Sequence, residues 1–121
     1  MNVSGFINKL ITVAPELEIL LHEHVEENGE VLPHIFMADV TRYLVNLVTR
    51  VNETNDPSSE SKILSLLSCL EESLVVGDER VRNVVEVSFI ENLDHADRAF
   101  PYLRTRLGKK LTQSLRTLEN D

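Results

Sequence analysis

A run of histidine and glutamate residues is the part of the sequence with the clearest potential for chemistry. It extends from His22 to Glu27 within a predicted helix, and imidazole and carboxylate groups are common metal ligands. His22 and His24 are two residues apart, so a helix points them about 200° away from each other. His22 with Glu18 or Glu26 supplies only two ligands, whereas a metal site needs at least three. The run therefore predicts a solvated acidic face.

An alternative metal site takes its ligands from two consecutive helices. Its residues are His22, Glu26, His34 and Asp39, and the short turn at 28–30 would bring the two helices side by side. This set is the basis of a minor hypothesis, a small metal-dependent enzyme. The main prediction is no metal and no cofactor, because the sequence has no His-Glu-x-x-His motif and no cysteine pair.

The remaining nucleophiles do not form a known catalytic pattern. Cys69, the only cysteine, lies between Leu66 and Leu70 near an apolar stripe, so we expect a buried thiol and no intrachain disulfide. The four glycines are isolated, which excludes a phosphate-binding glycine loop, and no serine stands in a Gly-x-Ser-x-Gly turn. The sequence predicts a protein that is not an enzyme.

The segment from Glu30 to Asp39 joins two predicted helices through Pro33. It has two interpretations. In the first it is an apolar staple that fixes the angle between the helices, with Asp39 bonded locally. In the second it forms a recognition surface with the acidic end of the preceding helix. The residues of that predicted binding surface are Glu23, Glu26, Glu27, Glu30, His34 and Asp39, extended by Glu71 and Glu72.

Charge is distributed unevenly along the chain. The net charge of −8 is the sum of −7 over residues 1–60, −5 over 61–97 and +4 over 98–121. The acidic bulk repels phosphate groups and excludes general binding to nucleic acid or anionic membranes. The C-terminal segment is predicted to neutralise the acidic helices and to lie outside the binding surface. Its basic residues are Arg98, Arg104, Arg106, Lys109, Lys110 and Arg116.

Helix start and stop signals predict an all-α fold, a compact irregular bundle of six or seven antiparallel helices forming one domain over 1–121. The predicted helices cover about 4–13, 15–28, 33–52, 58–76 and 79–93, with a short helix from 101 and a last one after Gly108. Ser58 or Ser59 is predicted to cap the fourth helix, and Asp78 the fifth. The 79–93 segment is rich in strand-forming residues, but its length and its apolar spacing favour a helix.

The chain carries no signal-peptide pattern at its start and no apolar run of the roughly 18 residues that a membrane span needs. With a single cysteine, this favours a cytoplasmic location.

Residues 26–39 and 87–93 together resemble a family of small, uncharacterised bacterial helical proteins. The resemblance implies a bacterial all-helical domain, and the family includes immunity-protein-like members encoded beside secreted toxins. The leading prediction is accordingly a non-enzymatic protein-binding module, an acidic immunity-type inhibitor of a basic toxin, because opposite charge promotes association. The first alternative is a homo-oligomeric scaffold, for example a homodimer, and the second is the metal-dependent enzyme.

Overall fold

The chain forms a bundle of α-helices, as the sequence predicts. A computed structural model describes residues 1–94 and 96–120, and no strand occurs within them. The segment from Glu79 to Asp94 is one continuous helix made of three consecutive helical parts, and it is here called the rod. With the rod counted as one helix, this part of the chain has seven helices. The helices are α1 (Val3–Val13), α2 (Leu17–Asn28), α3 (Pro33–Thr54), α4 (Pro57–Val76), the rod, α7 (Phe100–Arg104) and α8 (Lys109–Glu119).

The long helices α3 and α4 form the centre of the bundle. Helix α3 packs against α4 and the rod, α2 packs mainly on α3 and α1, and α8 packs on α4 and the end of the rod. The apolar face of α3 lies in the core, with Phe36, Val40 and Leu44 at most 1% exposed. Helix α2 therefore lies on one flank of the core, and one whole side of it faces solvent.

The start of α4 differs from the prediction that Ser58 or Ser59 caps it. Asp56 is the N-cap, and its carboxylate accepts hydrogen bonds from the Ser58 N–H at 3.1 Å and the Ser59 hydroxyl at 2.9 Å. The reason is Pro57, whose fixed φ and missing N–H suit the first helical position and so place the cap one residue earlier. The bond from Ser59 is the main cause that lowers the pKa of Asp56.

The rod is helical throughout but not uniformly α-helical. It consists of α5 (Glu79–Asn83), a π-helical segment (Val84–Phe89) and α6 (Ile90–Asp94). In an unbroken α-helix Ile90 would lie about 180° from Val81, on the solvent side. A π turn holds one extra residue, which rotates all later residues of the rod by about 100°. Both residues are therefore completely buried.

Three polar side chains join the start of α2 to α3 and α4. Lys62 on α4 donates to the Glu16 carboxylate at 2.6 Å, and this bond is the main cause that lowers the pKa of Glu16. Tyr43 on α3 lies near the same carboxylate, and burial, followed by the influence of Glu16, raises the pKa of Tyr43 to about 12. The contacts fix the end of α2 from which the acidic face extends.

We expect the free energy of unfolding to fall as the pH rises from 10.0 to about 12, because the folded state favours the neutral phenol of Tyr43. The contribution is complete below the ordinary tyrosine pKa and is lost as Tyr43 ionises. Urea denaturation across this range, compared between the wild type and Tyr43→Phe, isolates the effect. An equally steep fall in Tyr43→Phe would assign the loss to other groups, such as lysines.

Candidate functional site

The solvent face of α2 carries a row of glutamates, here called the acidic stripe: Glu23, Glu26, Glu27 and Glu30. The first three are spaced three and four residues apart, so they share one face of the helix, and Glu30 follows in the turn after Gly29. All four are exposed. Ile19, one turn before Glu23 on the same face, is 66% exposed and adds an apolar group to the start of the stripe.

The acidic stripe forms no ion pair within residues 1–94 and 96–120. The glutamates that do form ion pairs in this part of the chain lie outside the stripe. Glu72 binds Lys9 at 2.8 Å, Glu16 binds Lys62 and Glu119 binds Arg104. The stripe residues instead extend from the flank of the bundle into solvent. Their charges are thus available to a partner molecule.

One residue of the run does not lie on the predicted solvated acidic face, because His24 points to the opposite side of α2 and anchors the helix there. His24 is 3% exposed, and its ring lies 5.6 Å from that of Phe36 on α3. Its Nε2 accepts a hydrogen bond from the Leu32 N–H at 2.9 Å, which fixes the turn between α2 and α3. The sequence does hold a signal, because Leu17, Leu20 and His24 recur at the spacing of a buried helical face.

The bond from Leu32 also determines where the ring of His24 carries its hydrogen. A backbone N–H can only donate, so Nε2 holds the lone pair and the hydrogen of the neutral ring is on Nδ1. Nδ1 lies 4.0 Å from a carboxylate oxygen of Asp39. His24 therefore links α2 to the turn through Nε2 and packs its ring against Phe36 of α3, and these contacts hold the end of the acidic stripe in place.

We expect His24→Leu to lower the free energy of unfolding by about 1–2 kcal/mol, because it leaves the Leu32 N–H without its acceptor. His22→Leu is the matched control, since His22 is exposed on the same helix and should change stability by less than about 0.5 kcal/mol. Urea denaturation followed by circular dichroism measures both. Equal effects of the two substitutions would contradict the anchoring role.

Two residues of the predicted binding surface, His34 and Asp39, contact other side chains of the fold. His34 lies at the start of α3, where its Nδ1 is 2.5 Å from the hydroxyl oxygen of Ser88 in the π-helical segment. Asp39 is partly buried and forms an ion pair with Arg42 on its own helix. The local bonding of Asp39 that the first interpretation expected is thus observed. The structure groups the four glutamates and directs His34 and Asp39 into contacts within the fold.

The alternative metal set is not assembled by the fold. Among the residues that the structure describes, no three His, Cys, Asp or Glu side chains come close enough to hold an ion. His22 is exposed on α2, and His34 contacts Ser88 on the rod. The turn after α2 joins the two helices but does not bring His22, Glu26, His34 and Asp39 to one point.

Glu71 and Glu72, the predicted extension of the binding surface on α4, both have partners within the fold. Both Glu71 carboxylate oxygens accept backbone N–H bonds at the start of α8, from Lys110 at 2.8 Å and Leu111 at 2.9 Å. Glu72 is paired with Lys9. The N-cap of α8 is Gly108, which has no side chain, so α4 supplies the capping carboxylate from the other side of the helix interface.

The basic C-terminal segment makes its direct ion pair internally. Arg104 donates both guanidinium nitrogens to Glu119 at 2.7 and 3.0 Å, and the Arg106 guanidinium lies 3.4 Å from the centre of the Tyr102 ring. In the described part of the chain it forms no ion pair with α1–α6, contrary to the predicted neutralisation of the acidic helices. The acidic stripe keeps its full charge.

Cys69 is buried on α4, as predicted. Burial is the main cause that raises the pKa of the thiol, and the nearby charges that act on the thiol are those of Lys9 and Glu72. The environment thus favours the unreactive protonated form.

Residues 7–120 match the family described as a domain of unknown function, DUF7674. The chain belongs to this family. No curated protein and no solved structure gave a significant match. Within this DUF7674 domain, none of the described helices combines the length and apolar character that crossing a bilayer requires.

Proposed function

We propose that this DUF7674 domain is a non-enzymatic binding module that recognises a basic protein through the solvent face of α2. The observation that carries the proposal is the acidic stripe, whose exposed carboxylates have no ion-pair partner in the described chain. Exposed Ile19 on the same face offers apolar contact area next to the charges.

The charge of the whole chain supports a basic partner. Residues 1–60, which contain α2, carry a charge of −7 in a chain whose net charge is −8. An acidic surface accelerates encounter with a basic protein and disfavours acidic competitors. The partner class we propose is a basic toxin, which would make the domain a cytoplasmic bacterial immunity-type inhibitor. This finer assignment rests on the resemblance of residues 26–39 and 87–93 to a family of small bacterial helical proteins that includes immunity-protein-like members.

Affinity capture from a lysate of the source organism, followed by mass spectrometry, tests the proposal. We expect wild-type protein to retain a stoichiometric basic partner and the Glu23→Lys/Glu27→Lys variant to bind it at least about tenfold more weakly, most clearly at low salt. Removing two negative and adding two positive charges takes the net charge from −8 to −4.

Glu53→Lys/Glu60→Lys is the matched control, because these exposed residues of α3 and α4 give the same net charge away from α2. The control should bind like the wild type. An equal loss of partner binding in both variants would show that net charge alone causes the effect. Unchanged partner binding by the Glu23→Lys/Glu27→Lys variant would reject the solvent face of α2 as the contact surface.

A further inference from the structure

A second surface lies on another part of the molecule, in a groove between the rod and α8. The groove has a volume of about 490 Å³, and three apolar side chains, Leu74, Val87 and Leu118, line it. Val87 is 42% exposed although it is aliphatic and sits in the middle of the rod.

The π-helical segment gives one wall of the groove its charge. Glu86 and Glu91 both line this wall. In a regular α-helix residues five apart would point about 140° away from each other, but a π turn repeats near every fifth residue and brings them to one side. Neither carboxylate forms an ion pair within residues 1–94 and 96–120.

The opposite wall is one face of α8 and has a different character. Lys110, Gln113, Ser114 and Thr117 line it at spacings of three and four residues. The groove thus has apolar side chains between a doubly acidic wall and a polar wall with one positive charge.

We propose that this groove binds an amphipathic helix of another protein whose apolar stripe has basic residues along one edge and acidic or polar residues along the other. The basic edge complements Glu86 and Glu91, and the other edge faces Lys110. A helix suits the groove better than an extended peptide, because it satisfies its own backbone hydrogen bonds, whereas the described chain offers no strand edge to pair with.

This surface is distinct from the one in the proposed function. The groove is built by α4, the rod and α8, whereas the acidic stripe lies on α2, which packs mainly on α1 and α3. The domain would then hold a basic protein on α2 and a helix in the groove, and loss of one contact would leave the other.

The test uses a synthetic helical peptide of about four turns with leucines along one face, lysines on one edge and glutamates on the other. It is titrated into isotopically labelled protein of the Glu23→Lys/Glu27→Lys background, so that the acidic stripe does not attract its lysines. We expect amide shifts confined to Val87, Gln113, Thr117 and their neighbours. Glu86→Lys/Glu91→Lys should weaken binding at least about tenfold, and Glu53→Lys/Glu60→Lys should not.

Two control peptides separate the contributions. One has serines in place of the leucines, and the other has glutamates on both edges; each should bind at least about tenfold more weakly. Absence of groove shifts up to about 1 mM peptide would overturn the proposal, as would unchanged affinity in the Glu86→Lys/Glu91→Lys variant. Neither result would bear on capture of a basic partner by the wild type, so the two proposals fail separately.

Discussion

Glu71→Ala should lower the free energy of unfolding by about 2–3 kcal/mol, because it removes two charge-assisted hydrogen bonds that hold α8 on the bundle. Helix α8 has no capping side chain of its own and no acidic residue in its first turn. Its amide groups therefore depend on the carboxylate of α4. Urea denaturation followed by far-ultraviolet circular dichroism measures the loss, and Glu72→Ala, which removes only an exposed ion pair, should cost less than about 1 kcal/mol.

A double-mutant cycle with Gly108 tests the geometry of this cap. A Cβ at position 108 would lie 2.5 Å from the carboxyl carbon of Glu71, so Gly108→Ala alone must displace the carboxylate. In the Glu71→Ala background that collision is absent, and Gly108→Ala should cost much less. Strictly additive losses would show that the carboxylate does not sit under Gly108.

Deletion of Val87 should be tolerated, which is unusual for a deletion inside a buried helix. The π-helical segment holds one residue more than the α-helical repeat, and Val87 is the exposed aliphatic residue within it. Without Val87, the buried apolar residues of the rod fall at regular α-helical spacings of three and four. Those residues are Val81, Val84, Val85, Phe89, Ile90 and Leu93. We expect a cooperative unfolding transition and the full helical signal.

Deletion of Leu64 is the matched control, because Leu64 is a similarly exposed aliphatic residue in the regular helix α4. Its removal rotates every later residue of α4 by about 100° and takes Leu66, Leu67 and Leu70 off the core face. This variant should lose its cooperative transition. If deletion of Val87 were as damaging, the π-helical segment would not be a one-residue insertion in the apolar repeat.

The starts and ends of most helices follow from signals in the neighbouring sequence. The features that the sequence did not predict arise from contacts between helices. Pro33 starts α3, Asp78 caps the rod, and Gly29 ends α2 with φ +78°, all as the sequence indicates. The cap of α8 comes from a side chain 39 residues away from Lys110, so no local pattern reveals it. The π-helical segment lies between these cases, because Ile90 is visibly out of phase with Val81 in the sequence.

The sequence predicted only those parts of the candidate site whose residues lie close together along the chain. Helical spacing alone groups the acidic stripe on the solvent face of α2, so the sequence predicts it directly. The engagement of His34 depends on Ser88, which is 54 residues away and joins it only in the folded protein. The capping role of Glu71 was missed for the same reason, since a glutamate that caps another helix looks like any surface glutamate in the sequence.

The separation of the acidic stripe from the basic residues of α8 gives the molecule an electric dipole. Lys109, Lys110 and Arg116 are exposed on α8, which packs on α4 and α6, while the stripe lies on α2 beside α1 and α3. A charged partner is therefore turned toward one flank before any contact forms. Two copies of the domain, each with a net charge of −8, repel each other at long range, and the dipole weakens this repulsion only when they approach head to tail. Added salt shortens the Debye length to about 8–10 Å and screens this repulsion, so an association that appears only at raised ionic strength is one that the net charge opposes in dilute buffer.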